Sequence, residues 1–146
     1  MTLLFYIYYR YNLNTYAFYS AVALLGIHLA GGNIMTPEIY LYQIKIINLP
    51  FDKIVHVFGS FALTWLIASL VQNVLKPKTK KGVIFLIIIS IGLSLGTLGE
   101  IVEFIGTLMI SQTIVGDYAN NAGDLVANLI GAIMASIVAI NQKNQR

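Results

Sequence analysis

Four stretches of predominantly apolar residues, at about 14–30, 51–75, 82–105 and 122–140, dictate most of what this 146-residue chain can become. A helix needs about 20 such residues to cross the hydrocarbon core of a bilayer. Lipid offers no hydrogen-bond partners to backbone N–H and C=O groups, so a spanning segment has to satisfy them internally, as a helix does. The chain as a whole cannot support a water-coated alternative. It is 58% hydrophobic and only 10% charged, where a soluble domain carries about 25% charged residues. The expected fold class is all-α: an integral membrane four-helix bundle, one transmembrane domain over residues 1–146, with the lipid bilayer as its main partner.

The same composition excludes several function classes. There is no cysteine, so disulfides, thiolate metal sites and cysteine nucleophiles are absent. The net charge of +3 does not indicate nucleic acid, because the lysines do not line a face interleaved with aromatics. The first apolar stretch follows Phe5, Tyr6, Tyr8, Tyr9 and Tyr11 around Arg10, the one charged side chain before Glu38. A secretory signal has a basic start and no such belt. The belt fits a retained helix anchored at the interface.

Orientation follows from lysine and arginine in the short connections. Arg10, Lys76, Lys78, Lys80, Lys81, Lys143 and Arg146 fall on one side of the threaded chain, and Lys45 and Lys53 on the other. Both termini and the 76–81 loop are therefore expected in the cytoplasm. The 31–50 connection, with Ile39 to Ile47 along the interface, and the 106–121 connection are expected outside.

All six acidic residues and both histidines then collect at the outer face. Asp52, Lys53 and His56 open the second span, with Asp52 and His56 four apart on one helix face. Eighteen apolar or small residues separate Lys81 from Glu100, about 27 Å of helix, which brings Glu100 and Glu103 to the outer boundary. Asp117, Asn121, Asp124 and Asn128 are spaced to line one side of the fourth span if its helix starts early. Gly92 and Gly96 below Glu100, Gly59 and Ser60 below His56, and Gly131, Ala132 and Ala135 below Asn128 form small-residue faces that allow close helix approach. The polar tops are therefore expected to point inward.

Five carboxylates in one partly dry layer face a severe charge problem. Two like charges 4 Å apart repel by about 4 kcal/mol at an effective dielectric constant of ~20. Either several are protonated or a cation sits among them. Carboxylates with histidine suit Zn²⁺, Mn²⁺ or Fe, and carboxylates with asparagine suit Mg²⁺ or Ca²⁺. Each residue also has a plainer role: Asp52 as a helix cap after Pro50, Asp117 as a solvated loop residue, His28 as an interfacial histidine, Lys53 as a snorkelling lysine or a partner for Glu100, Asn128 as helix–helix glue.

The pieces Asp52-Lys53-Ile54-Val55-His56, Glu100-Ile101-Val102-Glu103 and Asp124-Leu125-Val126-Ala127-Asn128 with Gly131 resemble the VanZ-like family of small membrane proteins. The match covers about residues 50–140. The Glu-x-x-Glu pair and Gly116-Asp117 are also similar to YjdF-like inner-membrane proteins. The resemblance implies a place in the cell (plasma) membrane and, for the family's namesake, glycopeptide resistance. One departure is that VanZ-like members typically carry an arginine between the glutamate pair and the final aspartate, and this chain has none between Arg10 and Arg146. A phosphate- or carboxylate-binding role for that arginine would be absent here or would pass to Lys53.

Three functions remain open. In the first, an envelope protein handles an amphiphilic ligand while the outer-face cluster holds a cation; in its catalytic version a divalent metal ion held by His56, Glu103 and Asp124, with Asp52 and Asn128 as further binding groups, activates a water. Glu100 then serves as general base and Lys53 steadies the headgroup of a lipid or envelope-precursor ligand. The second is a non-enzymatic ion or proton site, and the third an accessory subunit that docks a larger membrane partner or a second copy.

Overall fold

The computed structural model describes residues 2–37, 39–75, 78–109 and 118–142, with side chains from Phe5 onward. Its helices are α1 (Thr2–Tyr11), α2 (Thr15–Asn33), α3 (Phe51–Val74), α4 (Lys81–Met109) and α5 (Tyr118–Asn141). The last four are each long and apolar enough to cross a membrane. The tyrosine-rich leader, expected as a belt, is a helix of its own. It stops at Asn12, whose φ of 48° breaks the α-helical run. Asn14 then caps α2 by accepting from the Ala17 N–H at 3.0 Å, which satisfies one of the orphan donors of a new helix. Phe18 packs against Phe5 and Tyr8 and so holds α1 to α2.

Two helix ends differ from expectation in a way that matters for the site. At 29 residues, α4 is about 43 Å long and runs four residues past the expected end, so Glu103 is followed by more than a helical turn. Helix α5 begins at Tyr118 rather than about 122, which places Asn120, Asn121 and Asp124 on regular helix. Asp117 lies outside the described residues.

The tightest joint is between α3 and α5, and small residues make it. A Cβ on Gly131 would overlap the Val57 carbonyl and come within 2.8 Å of the Phe61 nitrogen. Ala127, Ala132, Ala135, Ser136 and Ala139 of α5 are buried along the same helix. Lipid tails are as apolar as the side chains, so helices in a bilayer associate through such close packing and through hydrogen bonds. Ser60 supplies one, donating from Oγ to the Asn128 carbonyl at 2.6 Å. Helix α4 closes on the pair through Gly92, against Thr64 and Ala132, and Gly96, against Asn128.

Neutral polar contacts clamp the opposite end of the bundle. Gln142 Oε1 accepts from Trp65 Nε1 at 3.0 Å and Asn14 Nδ2 at 3.3 Å, and Gln72 donates to the Ala139 carbonyl at 2.7 Å. The last of these satisfies a carbonyl in the final turn of α5.

Helix α2 is placed differently from the others. It packs on α3 and on the segment that follows it, while α4 packs on α3 and α5. That segment, expected to lie flat at the interface, folds into a 3-10 turn (Leu41–Gln43) and a hairpin of β1 (Lys45–Ile46) and β2 (Leu49–Pro50). The hairpin turns at Ile47 and Asn48, both at positive φ. Tyr42 swings back from the 3-10 turn onto Gly31, where any Cβ would strike its ring.

The α3–α5 joint gives the first prediction. Gly131→Ala forces a methyl between two backbones and should cost about 1–3 kcal/mol, read from unfolding by denaturing detergent. Gly26→Ala, with nothing within 4 Å of the added carbon, should be neutral or slightly stabilising.

Candidate functional site

At the end of the bundle where α3 and α5 begin and α2 and α4 finish, Lys53 reaches from the first turn of α3 across to α5. Its Nζ donates to Asp124 Oδ1 at 2.5 Å, Asn120 Oδ1 at 2.8 Å, the Asn120 carbonyl at 3.0 Å and Asp52 Oδ2 at 3.1 Å. Gly123 leaves the corridor for this side chain, since a Cβ there would stand 3.1 Å from the lysine Cε. Of the two roles open to Lys53, a partner for Glu100 or a snorkelling lysine, neither is what forms. Helix α5 presents Asp124 instead, and Asn120, one turn earlier, holds the other Asp124 oxygen at 3.0 Å.

His56 stands one turn deeper among three carboxylates. Nδ1 lies 3.3 Å from Glu100 Oε1, and Nε2 lies 3.4 Å from Asp52 Oδ1 and 3.5 Å from Asp124 Oδ1. A doubly protonated ring satisfies all three, whereas a neutral one turns a lone pair towards an anion. Glu100 is buried, and two asparagines of α5 hold its oxygens: Asn121 at 3.0 Å and Asn128 at 3.1 Å. Every buried carboxylate in the layer thus has a donor, as burial requires.

The structure therefore gathers Asp52, Lys53, His56, Glu100, Asp124 and Asn128 into one network. Glu103 is set apart: it lines the adjoining cavity and makes no hydrogen bond or ion pair among the described residues. The residues whose atoms could share one metal are Asp52, His56 and Asp124, with ligand atoms within 4.8 Å of one another. The set expected from sequence, His56, Glu103 and Asp124, is not brought together in that way.

The cavity beside this network has a volume of about 680 Å³, within the range of ligand pockets, about 300–1,000 Å³. Asp52, His56, Glu100, Glu103, Asn120 and Asn128 line its polar end, and Leu24, Leu25, Val55, Leu63, Leu95 and the α4 glycines its depth. It runs from Asp52 down to Thr64, twelve residues or about 18 Å along α3, more than half of the ~30 Å hydrocarbon core. Helices α2 and α4 flank it without packing on each other to any extent. Lys53 does not line it, nor does any other lysine or arginine among the described residues.

Tyr42 and His28 close the cavity rim. Tyr42 donates its hydroxyl to the His28 carbonyl at 3.1 Å, and its oxygen lies 2.7 Å from His28 Nδ1. In this short contact either atom can donate, according to the histidine tautomer. Burial, reinforced by the nearby Asp52 and Glu103 carboxylates, pushes the Tyr42 hydroxyl up to about 12. Its partnership with His28, like the Lys53–Asn120 contact, left no periodic signal in the sequence. Asn120 could have been found, because it stands four before Asp124 on the same helix face.

A family model described as "Predicted membrane protein (DUF2238)" matches residues 1–145. The chain belongs to that family. It is thus a membrane protein by family as well as by its four apolar helices. No curated protein and no solved structure matches it. The VanZ-like and YjdF-like resemblances remain likenesses of motif over part of the chain.

Two predictions follow from this geometry. Lys53→Met and Asp124→Asn each strand a partner in the interior and should each cost about 3 kcal/mol. The double variant should lose clearly less than the sum, measured as a double-mutant cycle by detergent unfolding. Because the Tyr42 pKa is raised by folding from 10 to about 12, the neutral hydroxyl's stabilisation is complete below pH 10 and lost as pH rises through about 12. The unfolding midpoint of Tyr42→Phe should therefore fall less than that of the unmodified chain between pH 10 and 12.

Proposed function

We propose that this chain binds an amphiphile at the outer face of the plasma membrane, its headgroup beside the acidic layer and its chain along the cleft between α2 and α4. The observation that carries this reading is a single cavity that is ionisable at one end and mainly apolar for the remaining depth, flanked by two helices with little direct packing between them. A water-soluble ligand would gain nothing from the apolar depth, and a plain hydrocarbon nothing from the carboxylates. The excess of lysine and arginine near the termini and in the 76–81 loop supports the outer placement. So does the motif likeness to VanZ-like envelope proteins. Binding is favoured over hydrolysis because the groups expected to act are already committed. Glu100 is held by Asn121, Asn128 and His56, and Lys53 by Asp52, Asp124 and Asn120.

One observation favours a second reading, a divalent metal at Asp52, His56 and Asp124. Lys53 Nζ already bridges Asp52 and Asp124, so a metal there would have to displace an ammonium that neutralises the same oxygens. The amphiphile reading makes Lys53 the resident cation. It predicts sub-stoichiometric metal on elemental analysis and unfolding that a chelator does not change. One metal per chain, lost in His56→Ala and Asp124→Asn, would select the second reading.

Filling the cleft tests the main proposal. Gly99 lines the cavity and Gly106 does not, and both open onto free space. Gly99→Leu should reduce the lipid retained through purification in a nonionic detergent by about tenfold, equivalent to ~1.4 kcal/mol, as read by native mass spectrometry. Gly106→Leu should leave it unchanged. Equal retention in both variants would refute a cleft-bound amphiphile.

A further inference from the structure

The cavity wall has a sign. Its carboxylates are Asp52, Glu100 and Glu103, and its only basic residues are His56 and His28. Of the two lysines at this end, Lys45 lies in β1 and does not line the cavity, and Lys53 is turned away into α5, where Asp124 neutralises it. Glu103 is the carboxylate with no partner among the described residues. It sits on α4, on the far side of the cleft from His28 and Tyr42, and its charge is felt at Tyr42. A phosphate headgroup entering here would meet anions on two sides and no ammonium or guanidinium. At an effective dielectric constant of ~20, each like-charge contact at 4 Å costs about 4 kcal/mol.

The cavity depth carries a separate sign of an occupant. Thr64 is 1% exposed, lies on the cavity wall, and its Oγ1 has no hydrogen-bond partner. It sits against Gly92, eight residues or about 12 Å below Glu100 along α4. Threonine in a helix commonly returns its hydroxyl to a carbonyl of the preceding turn, and Thr64 does not. An orphaned buried hydroxyl costs about 1–3 kcal/mol. An occupant with a hydrogen-bonding group at this depth would recover that cost once the side chain rotates towards it.

We infer that the amphiphile is cationic: a single-chain lipid with an amine headgroup held by Glu103 at the rim and an amide or hydroxyl part-way down its chain at the level of Thr64. This rests on the amphiphile reading and names its ligand class. The ammonium reduces the layer's excess of negative charge, bringing three cations to the four carboxylates Asp52, Glu100, Glu103 and Asp124. Lys53 serves Asp124 and Asp52, His56 serves Glu100, and the ligand's nitrogen serves Glu103.

Three photoreactive probes test it on the full chain in phosphatidylcholine nanodiscs. They share one chain with a mid-chain amide and a terminal diazirine, and differ only in carrying an ammonium, a phosphate or a hydroxyl head. Labelling of Leu24 and Leu95 in the cleft is read by mass spectrometry against Leu86 on the exposed face of α4, which corrects for partitioning. The amine probe should label the cleft at least about tenfold more than the phosphate probe, a difference of ~1.4 kcal/mol. Glu103→Gln should abolish that preference while leaving detergent unfolding unchanged, and Thr64→Val should lower cleft labelling by the amine probe. Equal or greater labelling by the phosphate probe, or an amine preference that survives Glu103→Gln, overturns the inference and leaves the cleft-bound amphiphile standing. If none of the three probes labels the cleft above Leu86, the amphiphile reading itself has failed.

Discussion

An ammonium held between two helices at the polar end organises this bundle. Lys53 leaves the first turn of α3 and ends among Asp124, Asn120 and Asp52, so the counter-charge that offsets burial of Asp124 comes from the neighbouring helix. Paired charges in a low-dielectric setting have little net value over a well-packed apolar joint, but an unpaired one is very costly. The bridge therefore acts mainly as a register device. It fixes how far α5 slides along α3, and that register brings Gly131 against the Val57 carbonyl and Asn128 beneath Glu100. Asn128 also receives Ser60, so the polar layer and the small-residue joint below it depend on one alignment.

Much of this architecture was legible in the sequence because bilayer thickness sets the length of an apolar run. The four spans follow from that, and α2 and α3 keep nearly the expected bounds. The inward layer followed from Asp52, His56, Glu100, Asp124 and Asn128 occupying helix ends above small residues. Partnerships were not legible, because helical spacing fixes which residues share a face and says nothing about which face opposes it. Lys53 could thus be read as a partner for Glu100 or as a snorkelling lysine, and spacing alone does not point to Asp124. The glycines show the same limit. Gly92, Gly96 and Gly131 meet neighbours, whereas Gly26, Gly99 and Gly106 meet nothing, and no local pattern separates the two groups. Tyr42 was hidden for another reason: its role depends on a 3-10 turn and hairpin that carry no hydrophobic period.

The end remote from the charges is held in a different way. Gln142, Trp65, Asn14 and Gln72 form neutral hydrogen bonds there, and these need no counter-charge. A bundle clamped by neutral bonds at one end and by a bridging ammonium at the other keeps α3 and α5 aligned over their whole length. Helix α2 joins that clamp at the neutral end, through its cap residue Asn14, and has no share in the ammonium bridge. Its ties to α3 are packing contacts such as Leu24 over Gly59, and its outer end is held through His28 to Tyr42 in the connecting segment.

That looseness explains why a cavity persists where a packed seam would otherwise form. In water, apolar walls such as Leu24, Leu63 and Leu95 would be driven together by burial. In a bilayer, lipid already solvates them, so closing α2 onto α4 gains only packing. That indifference in the depth favours an open cleft. An occupant stabilises the bundle to the extent that it supplies what those walls lack, a positive charge above and a hydrogen-bond partner for Thr64 below. The network around Lys53 consumes the protein's own cation to hold α5, and Glu103 is left for a cation from elsewhere.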